Sequence, residues 1–341
     1  MLNTVYRLVA PGRIEVEFSD IDLLKEDVLV RPTHLSICHA DQRYFQGLRA
    51  TDILKQKLPM ALIHEAIGEI VWDPKGEFKA GERVVMIPNT PMEEDSVIAE
   101  NYLRTSKFRA SGFDGFMQDV VNMRRDRIVR VPRNINPFVA AFTELVSVSV
   151  HAIDRFDKIA HERRKTVGIW GDGNLGYITA IFFKAMFPEV KLCIFGLDEN
   201  KLSDFTFADD TFSITSIPDD LSIDHAFECV GGEGSPKAIN QIIDYINPEG
   251  TISILGVSEN PVAINTRMIL EKGLRMFGSS RSGRKDFEKT IALYQSNPEI
   301  VEYLQNIIGA TVNVHTVEDM KKAFELDRQN AFGKTIMIWN K

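Results

Sequence analysis

The spacing of apolar and polar positions changes along this chain, and the change divides it. Over roughly the first 145 residues, apolar residues come in short strand-length runs: DVLVRPTHLSI (27–37), AIGEIVW (66–72) and ERVVMI (82–87). Polar turns rich in glycine and proline, DPKGEFKAGE (73–82) and PNTP (88–91), separate them. After Glu144 the pattern alternates. Helical VSVSVHAIDRFDKI (146–159) leads to strand TVGIW (166–170), helix NLGYITAIFFKAMF (174–187) and strand VKLCIF (190–195). Strand-like TFSIT, DHAFECV and TISILGV follow, with helix SPKAINQIIDYI between the last two. Continuous apolar strands alternating with helices predict a doubly wound parallel sheet covered on both faces. From Arg281 onward come helical DFEKTIALYQSN and VEDMKKAFELDRQ and a closing strand KTIMIW. The expected architecture is α/β. A nucleotide-binding domain over 146–280 interrupts a β-rich domain made of 1–145 and 281–341, with a substrate cleft between the two domains.

The strand TVGIW runs into GDGNLG, a G-x-G-x-x-G turn that opens a helix. Gly171 permits the turn, Gly173 lets the backbone approach a phosphate, and Gly176 lets helix and strand pack closely. With Asn174 and Leu175, these residues form a cradle for a pyrophosphate at a helix N-terminus. A glycine-rich turn without a ligand is the bland alternative, and the flanking strand and helix favour nucleotide.

The chain's 341 residues suit two domains, and 44% hydrophobic with 26% charged residues is a globular composition. No apolar run approaches the roughly 18 residues of a membrane span. The first residues lack the basic start and apolar core of a secretory signal, so the expectation is a cytoplasmic protein. A net charge of −8 without a basic tract argues against nucleic acid as a partner. Three scattered cysteines, Cys38, Cys193 and Cys229, read as reduced thiols, the last two as core packing within strands.

Candidate chemistry gathers in the β-rich part. Cys38 stands in SICHADQRYF, His64 and Glu65 in LPMALIHEAIGE, and Glu144 in FTELVSVSVHAI. Taken singly, Cys38 reads as a small buried hydrophobe, His64 as a satisfied core histidine, and Glu144 as a carboxylate near a helix N-terminus. Their spacing matches no zinc finger, and there is no C-x-x-C pair.

The order SICHAD, IHEAIGEI, GERVV, DGFMQD, TELVSVSVHAI, GDGNLG, GTISILGV and GKTIMIW resembles the medium-chain zinc alcohol and polyol dehydrogenases over nearly the whole chain. That resemblance implies a Rossmann domain inserted in a GroES-like catalytic domain. It places Cys38, His64 and Glu144 on the catalytic zinc positions, with Glu65 as a close or exchanging ligand. Such a set can leave a fourth position for water or a substrate oxygen. Asp41 falls on the carboxylate that orients the histidine ligand. Two departures stand out. The lobe NTPMEEDSVIAENYLRTSKFRASG carries none of the four cysteines of a structural zinc, so one catalytic zinc is expected. Ala40 replaces the hydroxyl residue that starts the family's proton relay, so the proton needs another path, such as water held by Glu65.

An acid about 20 positions past the glycine motif would grip the ribose of NAD. The strand-end position here is Gly196, which removes a charge that would repel a 2′-phosphate, and Lys201 lies close enough in sequence to attract one. NADPH is the expected cofactor. The alternative is that Asp198 bends back to the ribose and the cofactor is NAD. By the same resemblance the FECVGG loop (227–232) lines the nicotinamide side.

Within that superfamily, LPMALIHEAIGE, IPNTPMEEDSVIAENY, GIWGDGNLGYITAI, NTRMILEKGL and GSSRSGRKDF look like the bacterial ribulose-5-phosphate reductases. The activity implied is zinc-assisted, NADPH-dependent reduction of ribulose 5-phosphate to ribitol 5-phosphate for teichoic acid or capsule polymers. A homodimer and a cytidylyltransferase that consumes the product are the implied partners. Tyr44 falls on a substrate-contacting tyrosine of polyol dehydrogenases, and Arg43 beside it could reach a phosphate. Arg281, Arg284 and Lys285 form a cationic cluster suited to the substrate phosphate, to the cofactor's 2′-phosphate, or to solvent. Two other readings remain at this point: an NAD-dependent dehydrogenase of an unphosphorylated sugar alcohol, and a non-catalytic nucleotide sensor.

Overall fold

The computed structural model describes residues 1–23, 27–330 and 332–341. The chain forms two compact units, one from Met1–Ser147 with Ser282–Lys341 and one from Val148–Arg281. Among the described residues, no helix is long and apolar enough to cross a membrane.

The discontinuous unit is built on antiparallel strands. Its larger sheet runs Ile128–Arg130, Arg83–Met86, Glu65–Trp72, Val28–Ser36, Lys334–Trp339 and Ile308–Val314, with Val121–Met123 also pairing to Val28–Ser36. Only the last pair, Ile308–Val314 with Lys334–Trp339, is parallel. A smaller sheet pairs Leu2–Ala10 with Arg13–Asp20 and Met60–Ala61. The C-terminal strand is therefore structural for the N-terminal half. Ser36 lies opposite Ile336 on one side and opposite Glu65 on the other. That register brings chain ends more than 260 positions apart to one place.

A lobe projects through the ribbon Asn89–Thr90 with Lys107–Phe108. Polar crosslinks hold it. The buried Arg127 guanidinium donates to both oxygens of Glu100, at 2.8 and 3.2 Å, and to the Asn89 carbonyl at 3.2 Å. Glu100 also accepts from the Arg284 backbone N–H at 2.7 Å, and its carbonyl accepts from Asn89 and Ser106. A bidentate arginine–carboxylate pair with a buried partner is geometrically defined and stiff.

The second unit is a six-stranded all-parallel sheet. Its order is Asp210–Ser213, Lys191–Gly196, Thr166–Trp170, Ile223–Glu228, Ile246–Ile254, Arg275–Gly278. In chain order this is 3-2-1-4-5-6, with the topological switch at Thr166–Trp170, where dinucleotides bind. Trp170, Phe195, Ile223, Ile242 and Ile252 pack in one core cluster. Each such fully buried side chain contributes roughly 1.5–3 kcal/mol. That burial explains why the continuous apolar runs form strands covered on both faces.

Candidate active site

The helix His39–Phe45 begins immediately after the strand Val28–Ser36, and Cys38 is its N-cap. Asp41, in the helix's first turn, is 1% exposed and does three things at once. Its Oδ2 accepts the Cys38 backbone N–H at 3.2 Å and lies 3.3 Å from His64 Nδ1. Its Oδ1 accepts the Ile63 backbone N–H at 3.0 Å. Ile63 is held in the left-handed region at φ 71°, a costly conformation for a β-branched residue. Asp41 thus fixes the backbone on both sides of the site and engages Nδ1 of the imidazole, leaving the Nε2 lone pair for a metal.

Cys38, His64 and Glu65 offer one ligand atom each, and these lie within 4.8 Å of one another. Glu65 is fully buried. Its partner, which the sequence reading did not find, is Lys334. Lys334 Nζ is 2.9 Å from each carboxylate oxygen and donates its hydrogen bond to Oε1. Oε2 accepts no hydrogen bond but faces the same ammonium, so the buried carboxylate is already paired with one cation. Thiolate, imidazole and carboxylate are zinc donors, so the residues present fit that ion.

Glu144 is the second residue of the helix Thr143–Ile159 and is buried. It stands outside the group of three. Burial above all pushes its carboxyl up to about 7; Glu65 and Asp41 add to the shift, while His64 and Lys334 oppose it. The electrostatics of the pocket are those of a cation site. Burial works against a charged His64, yet Asp41 and Cys38 raise its imidazole well above the ordinary histidine range. Burial likewise raises the Cys38 thiol, against the pull of His64 and Lys334. The Phe108 ring covers His64 with centroids 5.5 Å apart.

On the same short helix, Arg43 and Tyr44 follow the cysteine, and Arg49 stacks its guanidinium 5.0 Å from the Tyr44 ring centroid. Burial and then the like charge of Arg49 lower the Arg43 pKa, so the two cations crowd one place. Arg49 carried no signal in the sequence beyond its charge. The other cationic cluster spans the boundary between the two units. Arg281 ends the second unit at φ 57°, while Arg284 and Lys285 begin the helix Arg284–Ser296 of the first. Arg284 donates Nε to Glu288 at 2.7 Å and Nη1 to the Ile128 and Arg125 carbonyls at 3.2 and 3.5 Å. Its guanidinium is engaged in holding the helix, and Lys285 is exposed.

In the second unit, the helix Asn174–Met186 starts at Gly173. Gly171 adopts φ 126°, and a Cβ on Gly176 would lie 1.9 Å from the Gly171 carbonyl oxygen. Only glycine closes this turn. Asn174 and Leu175 form the helix's first turn. At the end of the next strand, a Cβ on Gly196 would meet Asp172 at 2.7 Å. Asp198 does not bend back to a ribose; it caps the helix Glu199–Ser203, accepting from Asn200 N at 2.9 Å and Lys201 N at 3.4 Å. In the FECVGG loop, buried Glu228 is the organiser, accepting from Val230, Gly231 and Gly256 backbone N–H groups at 2.8–3.1 Å.

A parallel 3-2-1-4-5-6 sheet with a glycine turn, in one chain with a β-rich unit carrying a Cys–His–Glu pocket, defines a nicotinamide-dependent metal dehydrogenase. Residues 24–133 match the alcohol dehydrogenase GroES-like domain, and residues 203–296 match the zinc-binding dehydrogenase domain. The chain belongs to the zinc-binding alcohol dehydrogenase family. Ribulose-5-phosphate reductase 2 of Staphylococcus aureus (strain NCTC 8325) is 54% identical over 339 residues, covering 99% of each chain. Ribulose-5-phosphate reductase of Bacillus spizizenii (strain W23) is 53% identical over the same length and coverage. The crystal structure of S. aureus TarJ in complex with NADPH superposes with a TM-score of 0.91 at 50% identity, covering both chains fully.

Proposed function

We propose that this protein reduces ribulose 5-phosphate to ribitol 5-phosphate with NADPH, at a zinc held by Cys38, His64 and a carboxylate. The observation that carries the reading is the Cys38–His64–Glu65 group, whose ligand atoms lie within 4.8 Å of one another, in a chain 54% identical to a reductase of that name. Glu65 is the carboxylate in the arrangement described here, and Glu144 is the second. Three protein donors leave a position for a substrate oxygen.

When bound, zinc polarises the C2 ketone as a Lewis acid and NADPH supplies the hydride. The chain's own residues prepare that event. Asp41 orients His64, and Lys334 holds the Glu65 carboxylate. Phe108 shields the imidazole face. Arg43 and Arg49 bind the 5-phosphate beside Tyr44, since two guanidiniums crowded together are relieved by a dianion. Gly196 brings no acid of its own to the strand end, and Lys201 follows shortly after it in sequence as a candidate for the 2′-phosphate. An acid that caps its own helix, Asp198, is no substitute for a ribose-gripping aspartate, which favours NADPH over NAD.

The three free thiols and the use of NADPH fit a cytoplasmic enzyme. On the family resemblance, the enzyme acts as a homodimer and supplies its product to a cytidylyltransferase.

The test follows absorbance of NADPH and of NADH with ribulose 5-phosphate, with and without a zinc chelator. NADPH oxidation abolished by the chelator and restored by zinc is expected. Chelator-insensitive reduction overturns the metal site, and turnover of sorbitol or xylitol with NAD, but not of ribulose 5-phosphate, overturns the substrate.

A further inference from the structure

The residue between the first two glycines of the turn, Asp172, is spent on the neighbouring strand end. Its Oδ2 accepts the backbone N–H groups of Leu197 at 2.7 Å and Asp198 at 2.8 Å. A Cβ on Gly196 would fall 2.7 Å from both Asp172 Cβ and Oδ2. The carboxylate therefore stands against the position from which a dinucleotide-binding strand ordinarily presents its ribose-gripping acid. The acid reaches that place from the glycine turn instead of the strand, and both hydrogen bonds fall on Oδ2, with none on Oδ1 among the described residues.

We propose that Asp172 holds the adenosine ribose of the cofactor by accepting a hydrogen bond from its 3′-hydroxyl. This rests on the reading that the turn binds NADPH. A strand-end aspartate grips the 2′-hydroxyl and repels a 2′-phosphate. Asp172 instead fills the space that a Gly196 side chain would take, with two N–H donors drawing charge off one oxygen. It keeps an anchor for the ribose while the 2′ position stays open. The 3′-hydroxyl is common to NADPH and NADH, so Asp172 contributes affinity to both and selectivity to neither. Selectivity then lies with the missing side chain at Gly196 and the cations beyond it.

The test measures dissociation constants of NADPH and NADH by fluorescence, with adenosine 5′-monophosphate and its 3′-deoxy analogue as competitors. Wild-type protein, Asp172→Asn and Asp172→Ala are compared. A hydrogen bond to a charged acceptor predicts about a tenfold preference of wild type for the 3′-hydroxylated competitor. That preference falls to near one in both variants, and NADPH and NADH weaken by the same factor. Wild type indifferent to the 3′-hydroxyl overturns the proposal without reference to any variant. So does a preference retained in Asp172→Ala, or a loss confined to NADPH. If wild type fails to bind NADPH at all, the cofactor reading fails instead, which separates the two outcomes.

Discussion

Lys334 Nζ stands 2.9 Å from both carboxylate oxygens of Glu65, across 269 positions of chain, and both residues are buried. Removing one member of a buried pair leaves a desolvated charge, at a cost of about 3–5 kcal/mol. Lys334→Met is expected to lose that much stability as zinc-free protein and distinctly less when zinc neutralises Glu65. Urea unfolding with and without chelator measures the difference. Equal losses in both forms would limit the pair to a role in the fold.

Cys38 supplies the thiol of the Cys38–His64–Glu65 group. Cys38→Ser is expected to lower bound zinc and reductase activity together, with the fold retained by circular dichroism. Full zinc content with lost activity would remove Cys38 from the ligand set.

The two cationic groups separate by assay. Arg43→Ala and Arg49→Ala are each expected to raise KM for ribulose 5-phosphate roughly tenfold or more, in line with a lost charge-assisted hydrogen bond, and to leave NADPH binding unchanged. Arg284→Ala is expected to lower Tm, through lost contacts to Glu288 and the Ile128 carbonyl, without moving KM. A KM effect of Arg284→Ala equal to that of Arg43→Ala would return the phosphate to the helix Arg284–Ser296.

Gly196 is packed as well as uncharged. A methyl group there already collides with Asp172 and with Leu202 Cδ2 at 2.9 Å. Gly196→Ala is therefore expected to weaken NADPH and NADH alike by displacing Asp172. Gly196→Asp adds repulsion of the 2′-phosphate and weakens NADPH further. Titration of both cofactors against both variants reads the steric and electrostatic parts separately. An unchanged NADPH-to-NADH ratio in Gly196→Asp would remove Gly196 from the ribose.

The second unit carries an acid-sensitive histidine. His225 is fully buried; its Nδ1 accepts from Thr251 N–H at 3.1 Å, so its Nε2 donates to the Arg163 carbonyl at 3.1 Å. Burial, and then His161 beside it, lower its pKa to about 4. The unfolded chain, with histidine near 6.5, binds the proton first. The stabilisation is complete above pH 6.5 and lost as pH falls towards 4. Tm measured across that window should fall, and His225→Gln, starting from a lower Tm, should show a shallower fall.

Sequence alone determined the local half of this protein. Apolar periodicity specified the strand Thr166–Trp170, the helix Asn174–Met186 and the closing strand Lys334–Trp339, because burial on one or two faces imprints a period on neighbouring residues. The glycine turn was legible for a similar reason, since φ 126° at Gly171 and the 1.9 Å approach at Gly176 leave no other residue type. Cys38, His64 and Glu65 were nameable only through the order of whole motifs, as each alone has an ordinary core reading.

Tertiary structure decided everything that depends on a distant partner. Lys334 reads as one more lysine at the start of a strand until the register with Ser36 sets it beside Glu65. Arg284 looks like a phosphate ligand until Glu288 and two carbonyls claim it. Asp172 looks like a filler between glycines until the strand end at Gly196 closes on it. Periodicity is a property of adjacent residues and survives in the linear chain. Charge pairing and ribose geometry are set by which strands lie side by side, and that order is fixed by packing over the whole sheet.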